Sequence, residues 1–337
     1  MIGYIVRRVM LGVFTAWLVT VLSFVIIQLP EGDAVDRHLD ALMAGGDETT
    51  AGEYAQLRDY LGLDEAMHIR YGKWIWNMLQ GDLGFSMYAP TYEHSPSPHT
   101  VKEVVGGRIW LTIALTSFTV AVTWVFAIPV GIYSAVRQHS VGDYVFTFLG
   151  FSGLAVPDFL LGLVLMYVAF AYFDQSVGGL FSAKYADQPW SMARVIDVLN
   201  HLWIPAIVLG TSGTASLIRI MRNNLLDELS KPYVVTARAK GASSWRLILK
   251  YPVRVAINPL VSTVGYLLPA LISGSIIVSV VLSLPTLGPV LLKSMIQEDV
   301  YLAGFIVMIL GMLTVIGTLL SDILLAVVDP RIKLTGK

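Results

Sequence analysis

A short segment rich in glycine and serine is the feature of this sequence closest to a catalytic motif. Ser152 lies in Gly150-Phe-Ser-Gly153, the G-x-S-G pattern that surrounds the nucleophile of intramembrane serine proteases. Such a serine needs a histidine base within hydrogen-bond reach, yet all six histidines lie in predicted loops or at a helix end. Glycine and serine in a membrane helix more commonly permit close helix packing. A serine protease is therefore only a remote alternative.

Nucleotide, metal and thiol chemistry find no support in the sequence. The chain lacks the pattern G-x-x-x-x-G-K-[ST], so it has no P-loop for a nucleotide, and it lacks H-E-x-x-H. It contains no cysteine, which excludes disulfides, thiol nucleophiles and thiolate metal sites. A pI near 6.6 provides no general basic field for nucleic acid. We expect no catalytic residue, metal ligand or cofactor in this chain, and no nucleic-acid partner.

The composition indicates that most of the chain faces lipid. Hydrophobic residues make up 55% and charged residues 14%, whereas soluble domains carry about 25% charged residues. About 20 apolar residues are needed to cross a bilayer as a helix, and backbone amides in lipid must be satisfied within the segment. The sequence therefore predicts an all-α polytopic membrane protein. Its six predicted transmembrane helices are 9–29, 109–136, 144–173, 202–218, 255–284 and 301–328.

The distribution of charge predicts the orientation of these helices. With the N-terminus inside, the inner segments hold 14 Lys or Arg and four acids, while the outer segments hold nine bases and 18 acids. Cytoplasmic loops are enriched in Lys and Arg. Both termini are therefore predicted to be cytoplasmic, and the apolar run after Arg7 and Arg8 is expected to be a retained anchor, because it exceeds the length of a secretory signal.

Two loops divide the chain into predicted regions. Residues 1–29 are the N-terminus and first span, 30–107 form a long outer loop, and 108–337 form the core of the protein. In the outer loop Met67, Tyr71, Trp74 and Leu79 have helical spacing, and Asp64 is a candidate cap. This amphipathic helix either faces a partner or the membrane interface, or covers its own helix bundle. The outer loop 174–201 is a second candidate for an interfacial helix.

The inner loop 222–254 has the most distinctive local pattern. Pro232 and Pro252 bracket a segment in which Gly241 is placed to end one helix and Ser243 or Ser244 to cap the next. We expect two short helices joined by a sharp corner, with small residues that allow a partner to approach. On composition alone, an ordinary basic cytoplasmic loop is an equally good interpretation.

Two aspartates and several helix breakers lie within the predicted spans. Asp158 and Asp322 are costly in a membrane and are candidate functional residues, although a structural hydrogen-bonding role is favoured for both. Pro157, Pro269 and Gly274 are candidate kinks or hinges. Membrane helices in general tolerate such residues, so hinge function is a hypothesis for these positions.

Several motifs, in the right order along nearly the whole chain, carry a family resemblance. The most specific is Tyr233-Val-Val-Thr-Ala-Arg-Ala-Lys-Gly241, followed by Arg254 and Pro259, which closely resembles the signature loop of importer permeases of the ATP-binding cassette superfamily. Its Thr-Ala-Arg-Ala-Lys-Gly form is similar to the dipeptide, oligopeptide and nickel permease branch. The other matches are Tyr4-Ile-Val-Arg-Arg8, Pro30-Glu-Gly-Asp33, Leu61-Gly-Leu-Asp64, Gly81-Asp-Leu-Gly-Phe-Ser86, His201-Leu-Trp-Ile-Pro205 and Asp329-Pro-Arg-Ile332.

The resemblance implies a transport subunit rather than an enzyme. Its inner loop would form a coupling helix that docks on a separate ATPase. The implied contact residues are Thr236, Ala237, Arg238, Ala239, Lys240, Gly241 and Arg254. The implied partners are a second related permease, two ATPase subunits that bind ATP and Mg²⁺, an extracytoplasmic substrate-binding protein and membrane lipid. The implied location is the cytoplasmic (inner) membrane of a bacterium or archaeon.

The resemblance indicates the type of transport system more specifically than it indicates the transported solute. The family's usual His-Ala-Leu-Arg-Asn-Ala is replaced by Tyr251-Pro-Val-Arg-Val-Ala256, and its Pro-Gly-Leu-Gly by Pro285-Thr-Leu-Gly288. The segment Asp187-Gln-Pro-Trp190 and the ending Val328-Asp-Pro-Arg-Ile332 resemble permeases for larger peptides. A peptide-like solute is expected, and oligosaccharides or nickel remain alternatives. A passive channel, which would need no ATPase, is the alternative mechanism.

Overall fold

The structure is a computed structural model of the 337-residue chain. It describes residues 2–28, 65–86, 99–173, 178–182, 184–185, 188–297 and 299–328. Several sequence features lie outside these residues: the candidate cap Asp64, the motifs Pro30–Asp33 and Asp329–Ile332, the motif residues 61–64 and Asp187.

The described residues are almost entirely helical, which confirms the all-α fold class. A short antiparallel pair, β1 (Phe85–Ser86) and β2 (His99–Thr100), is the exception. The helices are α1 (Ile2–Gln28), α2 (Met67–Leu79), α3 (Val101–Val136), α4 (Val141–Ala155), α5 (Asp158–Phe173), α6 (Met192–His201), α7 (Trp203–Leu229), α8 (Pro232–Ala239), α9 (Ser244–Lys250), α10 (Pro252–Ala256), α11 (Asn258–Val281), α12 (Leu287–Ile296) and α13 (Val300–Val328).

Among the described residues, most of each predicted span is helical. Within the described residues, α1, α3, α7 and α13 are each long and apolar enough to cross a membrane, and the bent pair of α4 and α5 is a possible fifth span. The uncharged helix α11 covers most of the predicted segment 255–284. A multi-pass membrane protein is thus confirmed, whereas the count of six spans stays a prediction.

The predicted span 144–173 is broken at Pro157, one of the candidate kinks. Helices α4 and α5 meet there at an angle of 105°. Val156, between them, has extended backbone angles (φ −87°, ψ 127°). Proline disfavours helical angles in the residue before it and lacks the N–H that the helix would need. Pro157 therefore ends α4, and Asp158 begins α5.

The chain divides into two compact units. The first contains Met1–Gly12, Ile113–Pro285 and Leu313–Lys337, and the second contains Val13–Thr112 and Thr286–Met312. In the first unit, close approach of the helices depends on small residues. A Cβ atom on Gly131 of α3 would lie 2.7 Å from Cβ of Met221 of α7, so no larger residue fits there without movement.

In the second unit, helix α2 packs on its own chain. Tyr71 Oη is 2.8 Å from Thr20 Oγ1, and the Tyr71 and Trp74 rings lie 5.4 and 5.6 Å from the ring of Phe24 in α1. Met67 and Leu79, which share the predicted apolar spacing, remain 55% and 77% exposed. Helix α2 begins after Ala66, with no side-chain cap. Tyr71 and Trp74 thus favour the covering role, while Met67 and Leu79 remain open to a partner.

Candidate functional site

The inner-loop segment contains two short helices that start from well-defined residues. Helix α8 has Pro232 in its first turn, where the missing proline N–H costs no hydrogen bond and the fixed φ favours the helix. Thr236 Oγ1 donates to the carbonyl of Pro232 at 2.9 Å. Helix α9 begins after Ser243, which has extended angles and occupies the N-cap position. Its hydroxyl makes no capping bond, so the predicted position is confirmed but the side-chain cap is absent.

The corner between these helices is built on Gly241. Its φ is +79°, a left-handed conformation that other L-residues adopt at a cost. The N–H of Gly241 donates to the carbonyl of Arg238 at 3.0 Å, and that of Ala242 donates to the carbonyl of Ala237 at 3.3 Å. This pair of bonds is the Schellman motif that closes a helix C-terminus. The predicted sharp corner at Gly241 is confirmed.

One face of the two helices is anchored in the core of the first unit. Val234 is fully buried, and Leu247 and Ile248 are 2% and 8% exposed. These side chains belong to a buried cluster with Met221 and Leu225 of α7. Val234, Leu247 and Ile248 thus pack α8 and α9 into the same close-packed cluster as α7.

The opposite face of the segment is open and chemically mixed. Thr236, Arg238, Ala239, Lys240 and Gly241 are exposed, and Ala237 is half-buried. Exposed apolar side chains lie beside them, namely Val235 (57% exposed) and Trp245 (67% exposed). Nothing would lie within 4 Å of a Cβ atom on Gly241. The small residues therefore leave the outer side of the corner uncovered among the described residues.

Comparisons with known proteins give the segment its context. The family described as binding-protein-dependent transport system inner membrane component matches residues 127–334, and the N-terminal family of the same transport systems matches residues 1–116. The chain belongs to this family. It is 34% identical over 334 residues to the oligopeptide transport system permease protein AppB of Bacillus subtilis, covering 99% of this chain and 100% of the relative.

Further permeases are similar over the same extent. The chain is 30% identical to the dipeptide transport system permease protein DppB of Escherichia coli, with 99% of each chain covered. It is 30% identical to the glutathione transport system permease protein GsiC of Salmonella choleraesuis, again with 99% of each covered. This chain is accordingly a transport permease of the inner membrane and not an enzyme, as predicted.

The candidate polar and hinge residues of the permease lie in different places. Asp322 of α13 forms an ion pair with Arg8 of α1, with Nη2 and Oδ1 3.0 Å apart, which supports the structural role favoured for it.

Asp158 is half-buried as the first residue of α5, directly after the break at Pro157. Helix α11 runs without interruption through Pro269 and Gly274, so neither residue breaks it. These residues are not brought together with the exposed corner at Gly241.

The glycines of the G-x-S-G pattern serve helix packing in the permease. A Cβ atom on Gly153 would clash with the Thr211 side chain of α7, and one on Gly150 would lie 3.5 Å from Cβ of Ala215. Gly153 therefore allows α4 to approach α7 closely, whereas a Cβ atom at Gly150 would make only an ordinary van der Waals contact. This packing explains the motif without a nucleophilic role for Ser152.

An ion pair that the sequence did not reveal joins the same two helices. Arg222 of α7 donates from Nε and Nη2 to the two carboxylate oxygens of Asp143 of α4, at 3.0 and 2.9 Å. The Asp143 side chain is 3% exposed. The two residues are 79 positions apart, and no spacing rule connects them. The available signal was Asp143 itself, an acid directly before the predicted span 144–173 in a short inner loop that also carries Arg137.

Proposed function

We propose that this permease forms half of the pathway of an ATP-driven importer for a peptide-like solute. The single observation that carries the proposal is the exposed corner 235–241, held by a buried anchor that reaches α7. The names of AppB, DppB and GsiC, which refer to oligopeptides, dipeptides and glutathione, support the peptide class. The complex would contain a second permease, two ATPases that bind ATP and Mg²⁺, and an extracytoplasmic binding protein.

The corner is suited to receive motion rather than to perform chemistry. In our proposal the α8 helix and Gly241 dock in a groove of the partner ATPase, with Thr236, Ala237, Arg238, Ala239 and Lys240 as contacts. Closure of the ATPases on ATP displaces the corner, and the buried Val234, Leu247 and Ile248 transmit this displacement to α7. ATP can shift the pathway between its inward- and outward-open states only if it binds the complex more tightly in one state than in the other.

Arg254 has a supporting role in this proposal. It is exposed in the last turn of α10, directly after the anchored helices. Six exposed bases lie between residues 231 and 254, against the acids Asp227 and Glu228 just before them. Such a cluster adds electrostatic complementarity to an acidic groove, which raises the rate and specificity of association more than its affinity. The same bases favour a cytoplasmic position of the segment.

The experiment is uptake and ATP hydrolysis in liposomes that contain the complete complex. Ala239→Trp places a large side chain on the exposed corner without disturbing the buried anchor. We expect ATP-dependent uptake to fall at least about tenfold, with unchanged insertion of the permease, because an interface tolerates overpacking poorly. Ala193→Trp, on the exposed part of α6, is the matched control and should transport normally.

Two results would contradict this proposal. Normal uptake by Ala239→Trp would show that the corner does not carry the coupling. Solute flux that needs neither ATP nor the ATPase subunits would identify a passive channel instead.

A further inference from the structure

A cavity of about 450 Å³ opens between α4 and α7 in the first unit. Cationic side chains stand at one end of its lining, namely Arg219 and Arg222 of α7. The lining also contains apolar side chains, among them Phe146 and Phe151 of α4 and Ile218 of α7, beside polar ones such as Thr147 and Asn223. The coupling corner does not contribute to this cavity, and the proposed transport cycle assigns it no role.

The carboxylate in the cavity wall, that of Asp143, accepts three hydrogen bonds within the protein. Asp143 accepts two bonds from Arg222, and its Oδ2 also accepts the backbone N–H of His139 at 3.0 Å. Two nitrogens of the Arg222 guanidinium, Nε and Nη2, are used in this way. Nη1 has no assigned acceptor among the described residues and is available to a ligand. Asp143 therefore orients Arg222 while leaving one edge of its guanidinium group unused.

Arg219 supplies the positive charge that Asp143 does not neutralise. Its guanidinium carbon lies 4.9 Å from the centre of the Phe151 ring, and no carboxylate of the described residues forms an ion pair with it. A cation over an aromatic face is held in place without losing its charge. Arg219 and Nη1 of Arg222 are thus two donors for an anionic group, with the exposed Asn223 amide beside them.

The surface next to the cavity is apolar and open. Tyr144 and Phe148 on α4 are 62% and 70% exposed, and Phe151 is 56% exposed. A ligand that enters between the helices would therefore meet basic donors at one end and an exposed hydrocarbon-like surface along α4. Basic pockets between transmembrane helices on the cytoplasmic side are typical sites for anionic lipid headgroups.

We propose that this cavity binds the phosphate headgroup of an anionic phospholipid from the cytoplasmic leaflet. Arg219 is the main contact and Nη1 of Arg222 the second, while an acyl chain lies along Phe151 and Phe148. A free phosphate ion shares the headgroup chemistry but leaves the apolar wall unused, which favours the lipid. The inference rests on the cytoplasmic placement of α7's C-terminal end in the proposed function.

The experiment is native mass spectrometry of the detergent-purified complex after incubation with phosphatidylglycerol or phosphatidylcholine. Wild type should retain phosphatidylglycerol in preference to phosphatidylcholine. Arg219→Gln should retain about fivefold less phosphatidylglycerol, the factor that one basic residue near an anionic surface contributes. Arg219→Lys should keep most of the binding. Thr147→Trp, which narrows the cavity without changing its charge, should reduce retention as strongly as Arg219→Gln.

Arg137→Gln is the matched control, because Arg137 is exposed on the same predicted side but does not line the cavity. It should retain phosphatidylglycerol as wild type does. Equal retention by Arg219→Gln and wild type, or equal loss in Arg137→Gln, would overturn the proposal. Inorganic phosphate that binds the lipid-free complex with the same dependence on Arg219 would identify a free-phosphate site and overturn the lipid assignment. Failure here would leave the uptake assay of the Ala239 variants unaffected, so the two proposals fail separately.

Discussion

Arg222 and Asp143 form a two-point ion pair that ties the beginning of α4 to the C-terminal half of α7. Each nitrogen–oxygen distance is at most 3.0 Å. Asp143 also accepts the N–H of His139, whose φ is +62°, at the turn before α4. Ser140 caps α4 by accepting the N–H of Asp143 at 3.3 Å. The Asp143 carboxylate therefore stabilises a turn and a helix–helix contact, while the backbone N–H of the same residue is capped by Ser140 at the helix start.

Replacing Asp143 by Asn should destabilise the permease measurably. Removing one partner of a buried pair costs about 3–5 kcal/mol, and because Arg222 is 22% exposed we expect a loss of about 2 kcal/mol in the free energy of unfolding. The measurement is denaturant unfolding of the purified permease in detergent. The double variant Arg222→Gln/Asp143→Asn should lose less free energy of unfolding than the sum of the losses in the two single variants. Losses that simply add would show that the two side chains have no interaction energy.

The Arg8–Asp322 ion pair should stabilise the contact between α1 and α13 less than the Arg222–Asp143 pair stabilises that between α4 and α7. Arg8 is 42% exposed and Asp322 is 17% exposed, and polar contacts between membrane helices are typically worth about 0.6 kcal/mol. In a double-mutant cycle with Arg8→Gln and Asp322→Asn we expect a coupling energy of about 1 kcal/mol or less. Transport by Asp322→Asn should remain near wild type. Complete loss of transport with intact folding would instead assign Asp322 to the transport pathway.

The G-x-S-G segment should respond to bulk and not to loss of the hydroxyl. Ser152→Ala should transport normally, because neither packing nor the proposed mechanism uses that oxygen. Gly153→Leu should lower the free energy of unfolding by about 1–3 kcal/mol, the range for overpacking, because its side chain would clash with Thr211 of α7. The yield of folded protein should fall as well. Thermal unfolding and uptake are measured on both variants. A Ser152→Ala variant that inserts and folds but is inactive would revive the serine-protease alternative.

Position 241 should accommodate a residue that adopts a positive φ at low cost, but not a residue that is strained there. Asparagine visits the left-handed region at low cost, whereas a β-branched residue is strained there by roughly 1–2 kcal/mol. Gly241→Asn should keep most of the ATP-dependent uptake, and Gly241→Val should lose most of it while ATP hydrolysis continues. Equal uptake by the two variants would show that the shape of the corner is not needed.

Local chemistry explains which parts of this structure were predictable. Pro232, Gly241 and Ser243 act on their immediate neighbours, so their spacing predicted the two short helices and the corner between them. Pro157 was recognised as a breaker, but a 105° bend depends on packing and was not predicted. The pairing of Asp143 with Arg222, and of Asp322 with Arg8, joins residues far apart in the chain. Such contacts depend on helix rotation and register, which a single sequence does not contain.

The most direct test of the central claim is a disulfide or thiol cross-link between the corner and the ATPase. The chain has no cysteine, so Ala239→Cys introduces a single reactive group on this permease. In the purified complex, with a cysteine in the groove of the ATPase, we predict a cross-linked permease–ATPase product whose yield changes when ATP is bound. Ala193→Cys should give no such product. An active complex in which Ala239→Cys never cross-links to the ATPase, under any nucleotide condition, would contradict the account.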